Sequence, residues 1–208
     1  MRTLPSAGWT QDQIDRGLAA FVDIDPPRDR TRLSIGVHYV SDEIQQVLQR
    51  AHNLFAPHNA ALSPRPGTRE MEDEVLAISG DLLAGGRAGA VTTMSASGTE
   101  SSFNALYAAR EWARATKPHV IRPKVVTSMS AQGAFTKVCR YLDLELVRAP
   151  LGPGLRTDSA AVAALVDDDT ICIVASAPDW PFGYFDDITA LGRLAIRHDL
   201  WFHVDATV

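Results

Sequence analysis

Three short stretches combine small residues, hydroxyls and acids at spacings that chemistry can use. The first is MSASGTESS, residues 94–102, which joins an apolar run to a helical one. Ser97 and Glu100 have capping-box spacing: the serine hydroxyl can accept from the Glu100 amide while the Glu100 carboxylate returns to the Ser97 amide. Most such boxes do no more than start a helix. Gly98 and Thr99 add something here, because glycine lets a ligand approach the backbone and threonine puts a hydroxyl at the positive end of a helix, where a phosphate group is stabilised. The second stretch is LWFHVDA, 200–206, which ends on Asp205; a carboxylate at a strand's end either caps the next helix or faces a ligand. His203, two residues earlier, shares its face in an extended strand and on local grounds is a packed or hydrogen-bonded histidine. The third is SAPDWPFGYFDDI, 176–188, a turn of Pro, Gly and aromatics that opens at Ser176 and closes on Asp186 or Asp187, either of which can cap a helix at Ile188.

Positioning these stretches requires alternating strands and helices, and the apolar spacing supplies them. Ile44, Val47, Leu48, Ala51 and Phe55 share one helical face behind Ser41. Residues 58–67 read as loop, and Thr68 opens a helix whose face runs through Met71, Val75, Ile78 and Leu82 to the Gly85–Gly86 pair. AVTTM, 90–94, predicts a short buried strand, followed by a helix from Gly98 to Thr116. KVVTS, LELVRA, TICIVAS and LWFHVDA predict further strands, separated by helices through Phe135–Leu142, after Asp158 and through Ile188–Ala195. Strands apolar on both faces belong in a mostly parallel sheet covered by helices, an α/β layered domain. In such a sheet ligands collect beyond the carboxyl ends of the strands, where all three stretches fall.

Composition narrows the partners. With 46% hydrophobic and 22% charged residues the chain is that of a globular protein, and the Pro-rich stretches at 25–28 and 178–181 read as loops. A net charge of -5 without a Lys/Arg block argues against nucleic acid or an anionic membrane as partner. No run approaches the roughly 20 apolar residues of a membrane helix, and the start MRTLPSAGWT has no apolar signal core. Cys139 and Cys172 lie inside apolar periodic segments, which predicts buried thiols in a reducing compartment, hence a cytoplasmic protein. GGRAG, 85–89, precedes a strand instead of following one, the wrong context for dinucleotide binding. The histidines are dispersed, so no metal site is expected.

Taken in order, SASGTES, NALYAAREWARA, SAQGAFTKV, ASAPDWPFGYFDDI and HVDA resemble the fold-type I pyridoxal phosphate enzymes. The branch is similar to the sphingosine-1-phosphate lyases, near the group II amino-acid decarboxylases, and the resemblance spans residues 35–208. It implies the three-layer α/β architecture of the aminotransferase-like large domain, here incomplete, with 1–40 as an N-terminal segment and 41–208 as the amino-terminal portion of that domain. It implies pyridoxal 5′-phosphate as cofactor, a small amine or amino-acid substrate, and a homodimer. Gly98 and Thr99, with Ser97 where many members have glycine, would hold the phosphate. Asp205 would pair with the pyridine nitrogen and keep it protonated, so that the ring takes up the electrons left when a bond at the amine-bearing carbon breaks. Ser176 would come near the ring edge, beside His203.

Two departures stand out. Gln132 occupies the place of the family's stacking histidine; its amide can lie over the ring but does not titrate near neutral pH, so any acid-base duty of that histidine is lost. The family's cofactor-anchoring lysine lies beyond HVDA, whereas Lys117, Lys124 and Lys137 read as solvated surface amines. The expectation is a carbon-carbon lyase or decarboxylase, lyase favoured, completed by further sequence or another chain; the alternative is a non-catalytic cofactor-binding or dimerisation subunit.

Overall fold

The computed structural model describes residues 8–24, 40–55, 66–84 and 89–207. The loop at 25–28, residues 58–65 of the next loop and the GGRAG residues 85–88 lie outside them. The chain divides into two compact units, Met1–Ser41 and Asp42–Val208. The first contains helix α1 (Gln11–Val22), which the apolar spacing had not suggested. Its signal is local: the Thr10 hydroxyl accepts from Gln13 N at 3.4 Å while Gln13 Oε1 accepts from Thr10 N at 2.8 Å, a complete capping box.

In the second unit a four-stranded parallel sheet carries the fold. Its strands are β1 (Lys124–Ser128), β2 (Glu145–Ala149), β3 (Thr170–Ser176) and β4 (Trp201–Asp205), in the order β2-β1-β3-β4. Every residue of β1 and β3 is buried, because both faces are covered. One face packs on α4 (Gly98–Thr116) and α5 (Ala134–Leu142), where Leu106, Phe135 and Val138 meet Val125, Cys172 and Val174. The other packs on α6 (Ser159–Ala163) and α7 (Ile188–Arg197), where Val162, Leu191 and Leu194 meet Val126, Ile173 and Ala175. Alternation along β4 follows the same rule: Trp201 meets Trp112 of α4 with ring centroids 6.1 Å apart, whereas Phe202 lies against α7. Gly192 of α7 faces that ring, for a Cβ there would stand in ordinary contact 3.4 Å from it. The result is the expected three-layer α/β architecture. Both cysteines are free and buried, and burial pushes the Cys139 thiol up to about 12.

Two expectations fail, for the strand at 90–94 and for two of the lysines. Residues 90–94 form no strand: Val91 is 92% exposed, and Thr92 Oγ1 instead donates to Leu76 O at 3.1 Å. A strand needs a neighbour to satisfy its amides, and among the described residues none runs beside 90–94. Helices α2 (Asp42–Phe55) and α3 (Pro66–Ala84) form, yet their apolar faces stay exposed, with Ile78 at 68%. Helical spacing sets which residues share a face but not what covers it. The lysines also depart from the surface expectation. Lys124 is buried and ion-paired with Asp167, whose carboxyl its ammonium holds below the usual range. Lys117 lies over the Trp112 ring at 5.4 Å and donates to His198 O at 3.3 Å. Lys137 alone of the three is exposed.

Candidate functional site

Because the sheet is parallel, the carboxyl ends of β1, β3 and β4 open on one side, and the start of α4 lies on that side too. Helix α4 begins as its sequence requires: Ser97 is extended, and its hydroxyl accepts from Glu100 N at 3.2 Å. The return bond differs from the capping-box expectation. Glu100 Oε2 accepts from Ala96 N at 2.7 Å, one residue earlier than Ser97. The N–H groups of Ser97, Gly98 and Thr99 are thereby left without a hydrogen bond among the described residues, at the positive end of a 19-residue helix. Ser102 Oγ donates to Gly98 O at 3.0 Å and steadies the first turn.

Opposite stands Asp205, half-buried at the end of β4. Thr207 folds back on it, with its amide N 3.2 Å from Asp205 Oδ1 and its hydroxyl donating to the same oxygen. Oδ2 has no protein partner among the described residues. Thr207 also reaches the helix start, for a Cβ on Gly98 would lie 3.4 Å from Thr207 Cγ2. Gln132, between β1 and α5, turns its Oε1 to accept from Ala134 N and so fixes its amide at the start of α5. Ser97, Gly98, Thr99, Gln132 and Asp205 line one cavity of about 240 Å3, together with Ser102, Ala134, Pro178, Trp180 and Thr207. Against the roughly 300–1,000 Å3 of sites for drug-sized molecules, that volume suits one substituted ring and is too small for a dinucleotide.

Ser176 and His203 do not line the cavity. They lie beneath it on the same face of the sheet. Ser176 pairs in register with Asp205, and its buried Oγ has no partner among the described residues. His203 packs edge-on against Phe135 at 5.8 Å; burial holds its imidazole below the ordinary value, against the opposing pull of Asp205. The 176–188 turn is built on two buried acids. Asp179 Oδ1 accepts from the amides of Phe182 at 3.2 Å and Tyr184 at 3.0 Å, around Gly183, whose φ of 71° suits glycine. Asp186 Oδ2 accepts from Ser176 N at 2.7 Å, and burial raises its carboxyl above the ordinary value. The helix cap falls to Asp187, which accepts from Ala190 N at 2.8 Å. Trp180 and Thr207 were not foreseen as lining residues. A threonine two positions after an acid signals a side-chain turn of the kind Thr207 makes, whereas nothing near Trp180 distinguishes it from any loop aromatic.

Residues 59–208 match the family described as pyridoxal-dependent decarboxylase conserved domain. The chain belongs to that family. A relative from Methanothrix thermoacetophila, named a probable L-tyrosine/L-aspartate decarboxylase, is 34% identical over 99% of this chain and 51% of its own length. The sphingosine-1-phosphate lyase of Dictyostelium discoideum is 29% identical over 98% of this chain and 38% of its own length. Among solved structures, the sphingosine-1-phosphate lyase of Burkholderia pseudomallei superposes with a TM-score of 0.86 at 31% identity, covering 98% of this chain and 48% of that one. This pyridoxal-dependent decarboxylase domain thus spans about half the length of the relatives it matches, and the fold-type I expectation holds. The cofactor of the family is pyridoxal phosphate. The cavity fits it on two counts: the unspent amides at the start of α4 and the unspent carboxylate oxygen of Asp205.

Proposed function

We propose that this chain is the cofactor-binding portion of a pyridoxal phosphate-dependent carbon-carbon lyase acting on a small amino substrate. One observation carries the reading: the start of α4, with its unbonded amides, and the Asp205 carboxylate line one and the same cavity, a donor set and an acceptor suited to a phosphate and a protonated pyridine nitrogen. When bound, the cofactor supplies an electron sink for the bond broken at the amine-bearing carbon. On this reading the amides of Ser97, Gly98 and Thr99, with the Thr99 hydroxyl, hold the phosphate. Asp205 Oδ2 accepts from the ring N–H and keeps that proton in place, while Thr207 fixes Oδ1. Gln132 lies against the ring without titrating, so proton transfer falls to other groups. Ser176 and His203, which do not line the cavity, flank Asp205 on the same face of the sheet and would support it rather than meet the ring.

The lysine that anchors the cofactor comes, on this reading, from outside residues 1–208, because Lys117 and Lys124 are engaged elsewhere and none of the three lysines lines the cavity. The enzyme is cytoplasmic and homodimeric, a reading supported by the free buried cysteines and by the exposed apolar faces of α2 and α3. A decarboxylase is the neighbouring reading, favoured by the Methanothrix thermoacetophila relative. A non-catalytic cofactor-binding subunit is favoured by Gln132 and the placement of the lysines.

Isothermal titration with 4′-deoxypyridoxine 5′-phosphate, which lacks the aldehyde and cannot couple to surface amines, tests the site directly. Saturable binding is expected at one site per chain. A cooperatively melting chain that takes up none of it ends the reading. For the reaction itself, a longer chain carrying the anchoring lysine should release an aldehyde from a 2-amino-3-hydroxy substrate; carbon dioxide from an amino acid would favour the decarboxylase.

A further inference from the structure

Arg148 lies on β2, an edge strand, and does not line the cavity, yet its guanidinium is bonded to the segment that presents Gln132. Nη1 donates to Ser128 O at 3.2 Å, Met129 O at 3.4 Å and Ala131 O at 3.1 Å, and Nη2 donates to Thr136 Oγ1 at 3.1 Å. Those acceptors flank Gln132 on both sides. Strand β1 ends at Ser128; Ser128 O also accepts from Ala131 N at 3.2 Å, whereas the carbonyls of 129 and 131, the latter on a buried residue, have no other donor among the described residues. Buried carbonyls without donors are costly, and one planar guanidinium meets several at once in a way a lysine ammonium does not. The rest of the segment is already tied: Ser128 Oγ lies 2.7 Å from Ser130 Oγ, and Gln132 Oε1 is spent on Ala134 N. With Oε1 held by Ala134 N, the position of the Gln132 amide follows that of this short segment, to which Arg148 is tied on both sides of Gln132.

We propose that Arg148 is a positioning residue that holds the Gln132 amide against the cofactor ring. The role rests on the reading of the cavity as a pyridoxal phosphate site. A double-mutant cycle on the full chain tests it, with titration calorimetry of 4′-deoxypyridoxine 5′-phosphate and the circular dichroism induced in the bound pyridine ring as readouts. Arg148→Met is expected to weaken binding about fivefold and to reduce the induced signal, as Gln132→Ala does; in the Gln132→Ala background the same change should cost less than about twofold. A merely structural role would subtract the same factor in both backgrounds, and that result, or unaltered binding by Arg148→Met, overturns the proposal. If Arg148→Met does not melt cooperatively, Arg148→Lys, which keeps the charge but not the planar fork, replaces it in the same cycle with the same criteria. A folded wild-type chain that binds none of the probe removes the cavity reading and the Arg148 role with it; a wild type that binds while the cycle shows no coupling removes the role alone.

Discussion

The two ends of the cavity grip by different means. At the start of α4 the donors are backbone amides, supplied by helix geometry and nearly independent of side-chain identity. At the end of β4 the whole contact is one carboxylate, with one oxygen held by Thr207 and the other unspent. The first end should therefore tolerate substitution unless bulk intrudes, and the second should not tolerate it at all. Ser97 fits this arrangement, since its hydroxyl caps the helix while its amide stays unbonded among the described residues.

Asp205→Ala should give the largest effect. Loss of a charge-assisted hydrogen bond predicts about 10- to 100-fold weaker binding of 4′-deoxypyridoxine 5′-phosphate, and the same factor for the unphosphorylated analogue, measured by calorimetry. Equal loss across both ligands marks the nitrogen end; a loss confined to the phosphorylated one would reverse the assignment of the two ends. Gly98→Val comes next, because Gly98 lines the cavity at the helix start and a branched side chain there fills space beside the unbonded amides. About tenfold weaker binding is expected for the phosphorylated ligand, with little change for the other. Ser97→Ala removes the cap and nothing else. It should lower stability by about 1 kcal/mol in chemical denaturation while affinity changes by no more than about threefold.

The smallest effect concerns the turn beneath. Burial raises the Asp186 carboxyl, so the folded chain keeps its proton at pH values where the unfolded chain has released it. Stability from this group is therefore present below the ordinary carboxylate pKa and is lost as pH rises through the raised value. Asp186→Asn keeps an acceptor for Ser176 N and cannot ionise. Its melting temperature should match the wild type near about pH 4 and exceed it toward about pH 7; a flat difference would refute the assignment.

Legibility in the sequence followed the same division between local and distant causes. Helix α4 and strands β1 and β3 were readable to the residue, because their bounds are set by a capping serine and by short runs rich in β-branched residues. The lining roles of Gly98, Thr99, Gln132 and Asp205 were readable only through the order of their motifs. What stayed hidden depends on neighbours. AVTTM has the composition of a strand but no adjacent strand among the described residues, and Lys124 has the composition of a surface residue but meets Asp167 from 43 positions away. Arg148 has no local signal, since its acceptors are three carbonyls and the Thr136 hydroxyl, all 12 or more positions away and brought within reach only by the packing of β2 and α5 around the end of β1.

The Lys124–Asp167 pair sits at the amino ends of the strands, the far side of the sheet from the cavity. An amine locked there is shielded from electrophiles, and Lys117 is partly shielded beneath Trp112, which leaves Lys137 as the readily acylated site. Mass-spectrometric footprinting with a lysine reagent therefore reads the integrity of this sheet from its underside, independently of anything bound above.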